Sequence, residues 1–119
     1  MEVININKKF DLFKEHWSPK IIGQLNGQDV KLAKLKGEFV WHDHKHEDEL
    51  FFIIKGSLKI KFRDKTKLVN EGEMIIIPKG VEHKPIAEKE VWVLLFEPSS
   101  IKHTGDVNHE LTKEVFDWI

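Results

Sequence analysis

The sequence predicts an all-β protein, a barrel or sandwich, and three observations carry that expectation. Short apolar runs alternate with period two, turn signals separate them at regular spacing, and little of the chain shows a helical period. After a short apolar stretch at 4–6, residues 10–17 (FDLFKEHW) suit a helical turn or two, closed by Ser18-Pro19. Asn26-Gly27 between runs 21–25 and 30–35 is the strongest short hairpin signal. Runs 39–44, 49–54 and 57–62 follow, the last two joined tightly through Lys55-Gly56. A polar turn at 63–65 leads to 66–69, and Gly72 opens 74–77. Pro78-Lys79-Gly80 makes a turn, and runs 82–87 and 91–97 close the set. The tail from Pro98 is polar at first, and Leu111, Val115, Phe116 and Trp118 then read as an anchored end.

Side-chain parity separates two kinds of strand. Leu58, Ile60 and Phe62 share one face and Lys59, Lys61 and Arg63 the other, which is a strand with one wet side. In 49–54, Phe51 and Ile53 point one way while Leu50, Phe52 and Ile54 point the other, and 91–96 is apolar on both faces. If Glu49 points into the barrel, Leu50, Phe52 and Ile54 point out of it and need cover. A short chain has little to cover them with, so a homodimer is expected.

At 119 residues the chain fits a single domain, 1–119. Apolar residues at 40% and charged ones at 33% argue against disorder. A net charge of −1, with acids and bases interspersed, offers no footprint for nucleic acid or an anionic membrane. With no cysteine there is neither a disulfide nor a thiolate ligand, and any metal must be held by imidazole and carboxylate. No segment has the apolar length of a signal peptide or a membrane span, so a cytoplasmic location is the expectation.

Residues 41–49, WHDHKHEDE, carry the chemistry. His42, His44 and His46 alternate and share a face if the segment is extended. Glu49 opens the next run on the face of Phe51, and His83 follows the Pro78-Lys79-Gly80 turn. Alternating histidines alone are as often a solvated strand end as a metal site. A carboxylate and a later histidine behind a Pro-x-Gly turn raise the odds, and such donors suit Zn, Fe, Mn, Ni or Cu. Trp41, Trp92 and Phe96 are read as packing, His16, His103 and His109 as surface residues, Asp43, Lys45, Glu47 and Asp48 as a solvated turn, and Gly56 and Gly80 as turn glycines.

Gly37 … His42-x-His44-x4-Glu49-x6-Gly56 resembles the first cupin motif, and Gly72-x5-Pro78-x-Gly80-x2-His83 resembles the second. The motif-bearing core spans about 37–98, and its texture is similar to that of small single-domain bacterial cupins often labelled mannose-6-phosphate isomerase-like. The resemblance implies a double-stranded β-helix, or jelly roll, with short helical segments near the termini. It implies one divalent transition metal per chain (Zn, Fe, Mn or Ni) on His42, His44, Glu49 and His83, with His42 and His44 from one strand and Glu49 from its hairpin partner. It also adds dimerisation. Gly37 lies one residue nearer its histidine than the commonest family spacing, which leaves open a pairing of His44 with His46; Ala87 stands where many members have asparagine.

On the inferred inward faces stand Val40, Phe51, Ile53, Leu58, Ile60, Phe62, Val81, Pro85 and Ala87; tyrosine is absent, and Arg63, the sole arginine, faces outward. An apolar pocket beside a metal suits oxygenase-like chemistry on a small, partly apolar molecule. A non-catalytic module that binds a metal or small ligand is the alternative. A sugar-phosphate isomerase fits less well, because it needs a base and cations that nothing places inside.

Overall fold

The computed structural model describes residues 1–99, 105 and 116–119. Helix α1 (Ile6–Phe10) precedes strands β1 (Lys20–Leu25), β2 (Gln28–Glu38), β3 (Glu49–Lys55), β4 (Ser57–Lys61), β5 (Thr66–Asn70), β6 (Met74–Ile77), β7 (Lys84–Pro98) and β8 (Asp117–Trp118). The expected helical turns at 10–17 lie further upstream. Asn5 caps α1 by accepting from the Lys8 amide at 3.0 Å, so the helix is spent by Phe10. Residues 11–12 form a turn and the chain then runs on irregularly, with Phe10 and Phe13 both buried. The Asn26-Gly27 hairpin forms as read, with φ of 50° and 76° at the two turn residues, the left-handed pair that a tight β1–β2 connection requires.

Strand β7 is the spine of a jelly-roll barrel. Its residues 91–98 pair with β2 on one edge, and within that stretch β3 pairs on the other; its first residues pair with β4. Strands β3 and β4 therefore run in one direction along β7, kinked at Gly56, and are flanked in turn by β6 and β5. The two runs read separately at 82–87 and 91–97 are one strand with a register shift opposite Leu35 and Gly37.

The run at 39–44 is not a strand. Gly37 has φ of 89° and sits at the β2–β7 register shift, and beyond Glu38 the chain leaves the ladder. Scattered backbone contacts replace it: the Phe39 amide donates to the Pro85 carbonyl at 3.0 Å, and an isolated bridge joins His42 and His83 by two hydrogen bonds of 3.1 and 2.9 Å. Glu49 accordingly does not come from a hairpin partner of the histidine segment; its strand pairs with β6 and β7.

The barrel interior is filled by Ala33 and Leu35 of β2, Phe51 and Ile53 of β3, Leu58 and Ile60 of β4, and Ala87, Val91, Val93 and Leu95 of β7. A second cluster lies outside it, where Phe10, Phe13, Ile22 and Leu32 pack with Ile54, Trp92 and Leu94. Phe10 stacks on Trp92 with centroids 4.6 Å apart. The N-terminal segment thus covers much of the outward apolar face that parity exposed. Of the tail, β8 adds in parallel to β1. Phe116 lies against the Lys31 ammonium at 3.8 Å, whereas Trp118, expected as an anchor, is exposed. Leu111 and Val115, like His103 and His109, lie outside the described residues. No helix among the described residues is long and apolar enough to cross a membrane.

Candidate metal centre

His42, His44, Glu49 and His83 converge although three different segments bring them. The bridge sets His42 beside His83, Glu49 opens β3, and His44 is fixed by its carbonyl accepting from the Gly80 amide at 2.8 Å. One potential ligand atom from each lies within 4.8 Å of all the others, and all four residues are buried. His44 Nε2 is 3.5 Å and His83 Nε2 is 3.6 Å from Glu49 Oε1. Such separations are near those between donors each about 2.1 Å from a common ion.

Backbone carbonyls aim two of the rings. His42 Nδ1 lies 2.9 Å from the Val40 carbonyl, and His83 Nδ1 lies 2.9 Å from that of Val81. A ring that donates from Nδ1 presents the lone pair of Nε2 inward, the tautomer a metal needs. His44 Nε2, His83 Nε2 and Glu49 Oε1 are buried without a hydrogen-bond partner. Orphaned polar atoms are costly singly; three aimed at one point form a donor set for a divalent ion, and this chemistry fits one.

Burial, aided by the neighbouring His83, lowers the His42 pKa to about 4, so this ring is neutral at pH 7. Burial works against a charged His44 as well, but the Glu49 carboxylate outweighs it and raises that pKa. Burial works against the Glu49 carboxylate too, but the His44 and His83 imidazoles beside it outweigh that and hold it well below the usual carboxylate range. Glu97, which sequence reasoning passed over, shows the opposite behaviour: burial and then the charge of Glu49 push it well above that range.

His46, the alternative partner for His44, is exposed and outside the cluster. His16 is exposed and bonds Glu90 at 2.7 Å. Arg63 faces outward as expected; its guanidinium lies 3.9 Å from the Trp41 ring and pairs with Glu82 at 3.1 Å.

A narrow cavity of about 30 Å³ runs from the cluster toward Trp17, Pro19 and Phe39, walled by Leu35, Phe51, Pro85, Val93 and Leu95. Among the described residues, its polar lining consists of His42 and Glu49. Of the side chains read as inward, Val81 is exposed and Val40 only half-buried; Phe39 takes the place beside His42. Loss of strand alternation beyond Gly37 explains the swap. Trp17 was missed. It stacks on Phe39 with centroids 4.5 Å apart, bonds the Lys36 carbonyl through Nε1 at 2.8 Å, and has φ of 57°, a conformation that a bulky residue seldom adopts. No local sequence signal announces it.

A jelly-roll barrel with three histidines and a glutamate gathered inside defines the class. Comparison with known proteins agrees: the Cupin domain family matches residues 28–97, and the chain belongs to that family. It is 39% identical over 72 residues to the uncharacterised protein YdbB of Bacillus subtilis (strain 168), a match covering 60% of this chain and 64% of that one. The matched part thus spans less than two thirds of that relative. A cupin-2 domain-containing protein from Shewanella frigidimarina is 51% identical, with a TM-score of 0.80 over 81% of this chain and 94% of that one. Protein NMB1881 from Neisseria meningitidis is 35% identical, with a TM-score of 0.75 over 82% of this chain and the whole of that one.

Proposed function

We propose that His42, His44, Glu49 and His83 hold one divalent transition metal ion, and that a small, largely apolar molecule is bound beside it for an oxygenase-type reaction with dioxygen as co-substrate. The observation that carries this reading is a buried cluster of four donors, three of them with unpartnered atoms, that meets an apolar cavity through His42 and Glu49. The bound ion would supply Lewis-acid or redox chemistry through the positions its four protein donors leave free. The chain's own residues orient those donors, exclude water and define ligand shape. Entry of anything larger than a few waters requires Trp17 and Phe39 to part, since the present cavity holds no more.

Among the described residues the cavity is lined by no acid or base beyond His42 and Glu49, which equally favours a second reading, a module that binds metal and ligand without turnover. Oxygen consumption by the iron-loaded protein, surveyed over small apolar molecules alongside Trp fluorescence, separates the two. Uptake coupled to substrate loss supports the enzyme; ligand binding without uptake supports the module. Against the isomerase reading, the described residues lining the cavity include no base beyond the cluster and no cation for a phosphate, and Arg63 is engaged at the surface with Trp41 and Glu82. No turnover of mannose 6-phosphate is expected with Zn, Mn or Fe, and a rate of ~1 s⁻¹ or more would restore that label.

Part of the outer face stays bare after the N-terminal segment has packed. Met74 and Ile76 are 56% and 53% exposed, opposite the half-buried Phe52 and Leu50. A second copy of this chain, related by a two-fold axis, is the proposed cover.

A further inference from the structure

Register places a row of charged side chains across the barrel interior behind the metal ligands. On β7, Glu97 stands opposite Asp29 of β2, while the adjacent Phe96 stands opposite Leu50 of β3. Glu97 is therefore next to Glu49, and both side chains point inward. Asp29, Lys31 and Glu97 are 2%, 0% and 0% exposed. Lys31 Nζ donates to Glu97 Oε1 at 3.0 Å and lies 3.9 Å from Asp29 Oδ2. The remaining oxygen, Glu97 Oε2, is buried with no hydrogen-bond partner, and the β3–β7 register sets Glu97 directly beside Glu49. A glutamate in such a place is hard to explain as packing. A buried charge is tolerated when it is paired and its lone pairs are met, and an apolar side chain would fill the space at less cost.

We propose that Glu97 is a positioning residue for the metal centre: anchored by Lys31, it holds the Glu49 carboxyl from behind through a shared hydrogen and fixes which oxygen faces the three histidines. The proposal rests on the reading of His42, His44, Glu49 and His83 as metal ligands. It explains why Glu49 Oε1, the oxygen nearest His44 and His83, is left free of protein donors. Partners that orient a ligand in this way typically govern affinity by about ten- to hundred-fold.

Glu97→Gln discriminates positioning from mere filling, because an amide can donate to Glu49 through its nitrogen and accept from Lys31 through its oxygen. Zn²⁺ titration by calorimetry of the full chain, Glu97→Gln and Glu97→Ala supplies the test, with melting of the metal-free proteins as a fold control. Glu97→Met, which fills the volume without hydrogen bonds, replaces Ala should that variant not fold. The expected order is wild-type affinity within a few-fold for Gln and a loss of about ten- to hundred-fold for Ala or Met. Equal affinity in all variants, or a Gln variant as weak as Ala, would overturn the positioning role. A wild-type chain that takes up no Zn²⁺ would overturn the ligand reading itself, a result distinct from either.

Discussion

At the scale of single residues, the buried imidazoles of the cluster titrate in opposite directions, and His42 is the one that burial keeps neutral. His42 has a pKa of about 4, below the 6.5 of a free imidazole, so the unfolded chain binds its proton more readily between those values. Its contribution to stability is whole above pH 6.5 and is lost as pH falls to about 4, on the order of 3 kcal/mol in all. His44 acts with the opposite sign, since its raised pKa contributes stability below the free value that is lost as pH rises through the raised one. Comparison with His42→Gln isolates the first effect: the melting temperature of the metal-free wild type should fall more steeply between pH 7 and pH 4 than that of the variant. Parallel curves would show that His42 is not buried neutral. The four clustered residues were legible because their spacing is short and their types are rare together. Glu97 and Trp17 were not. One looks like the solvated end of a strand and the other like an ordinary aromatic, and only register and backbone conformation reveal their places.

Among the elements, strand existence followed from alternation, and the hairpin followed from Asn26-Gly27 because both turn residues must accept positive φ. What alternation could not show is connectivity. Lys55-Gly56 reads as a tight join between two strands, yet β3 and β4 continue along the same neighbour with a kink between them. Gly56 has φ of 87°, and a Cβ there would come 3.1 Å from the Glu90 carbonyl oxygen. Gly56→Ala is therefore expected to cost about 2 kcal/mol, read as a lowered melting temperature, with β7 unable to withdraw from the bend. An unchanged melting point would mean that the kink is not strained. The segment 39–44 was misread for a related reason: alternating residues suggest a strand whether or not a ladder is present, and the left-handed Gly37 ends this ladder.

Across the whole molecule, two apolar surfaces that one parity argument joined have separate fates. Ile54, Trp92 and Leu94 are covered by Phe10 and Phe13, whereas Met74 and Ile76 face solvent beside Leu50 and Phe52. The proposed dimer buries the second surface. Light scattering across micromolar concentrations should give twice the 14.0 kDa chain mass, and Phe52→Glu should yield monomers with Zn²⁺ binding retained. A wild-type monomer at every concentration would refute the dimer. The barrel itself serves one end. It holds four donors from three segments at one point, and that claim is tested most directly by metal stoichiometry. Metal-free wild type and His83→Ala should be titrated side by side with Zn²⁺, with circular dichroism as the fold control. One equivalent bound by the wild type and none by a folded His83→Ala protein is the predicted result; full stoichiometric binding by the variant would contradict the account.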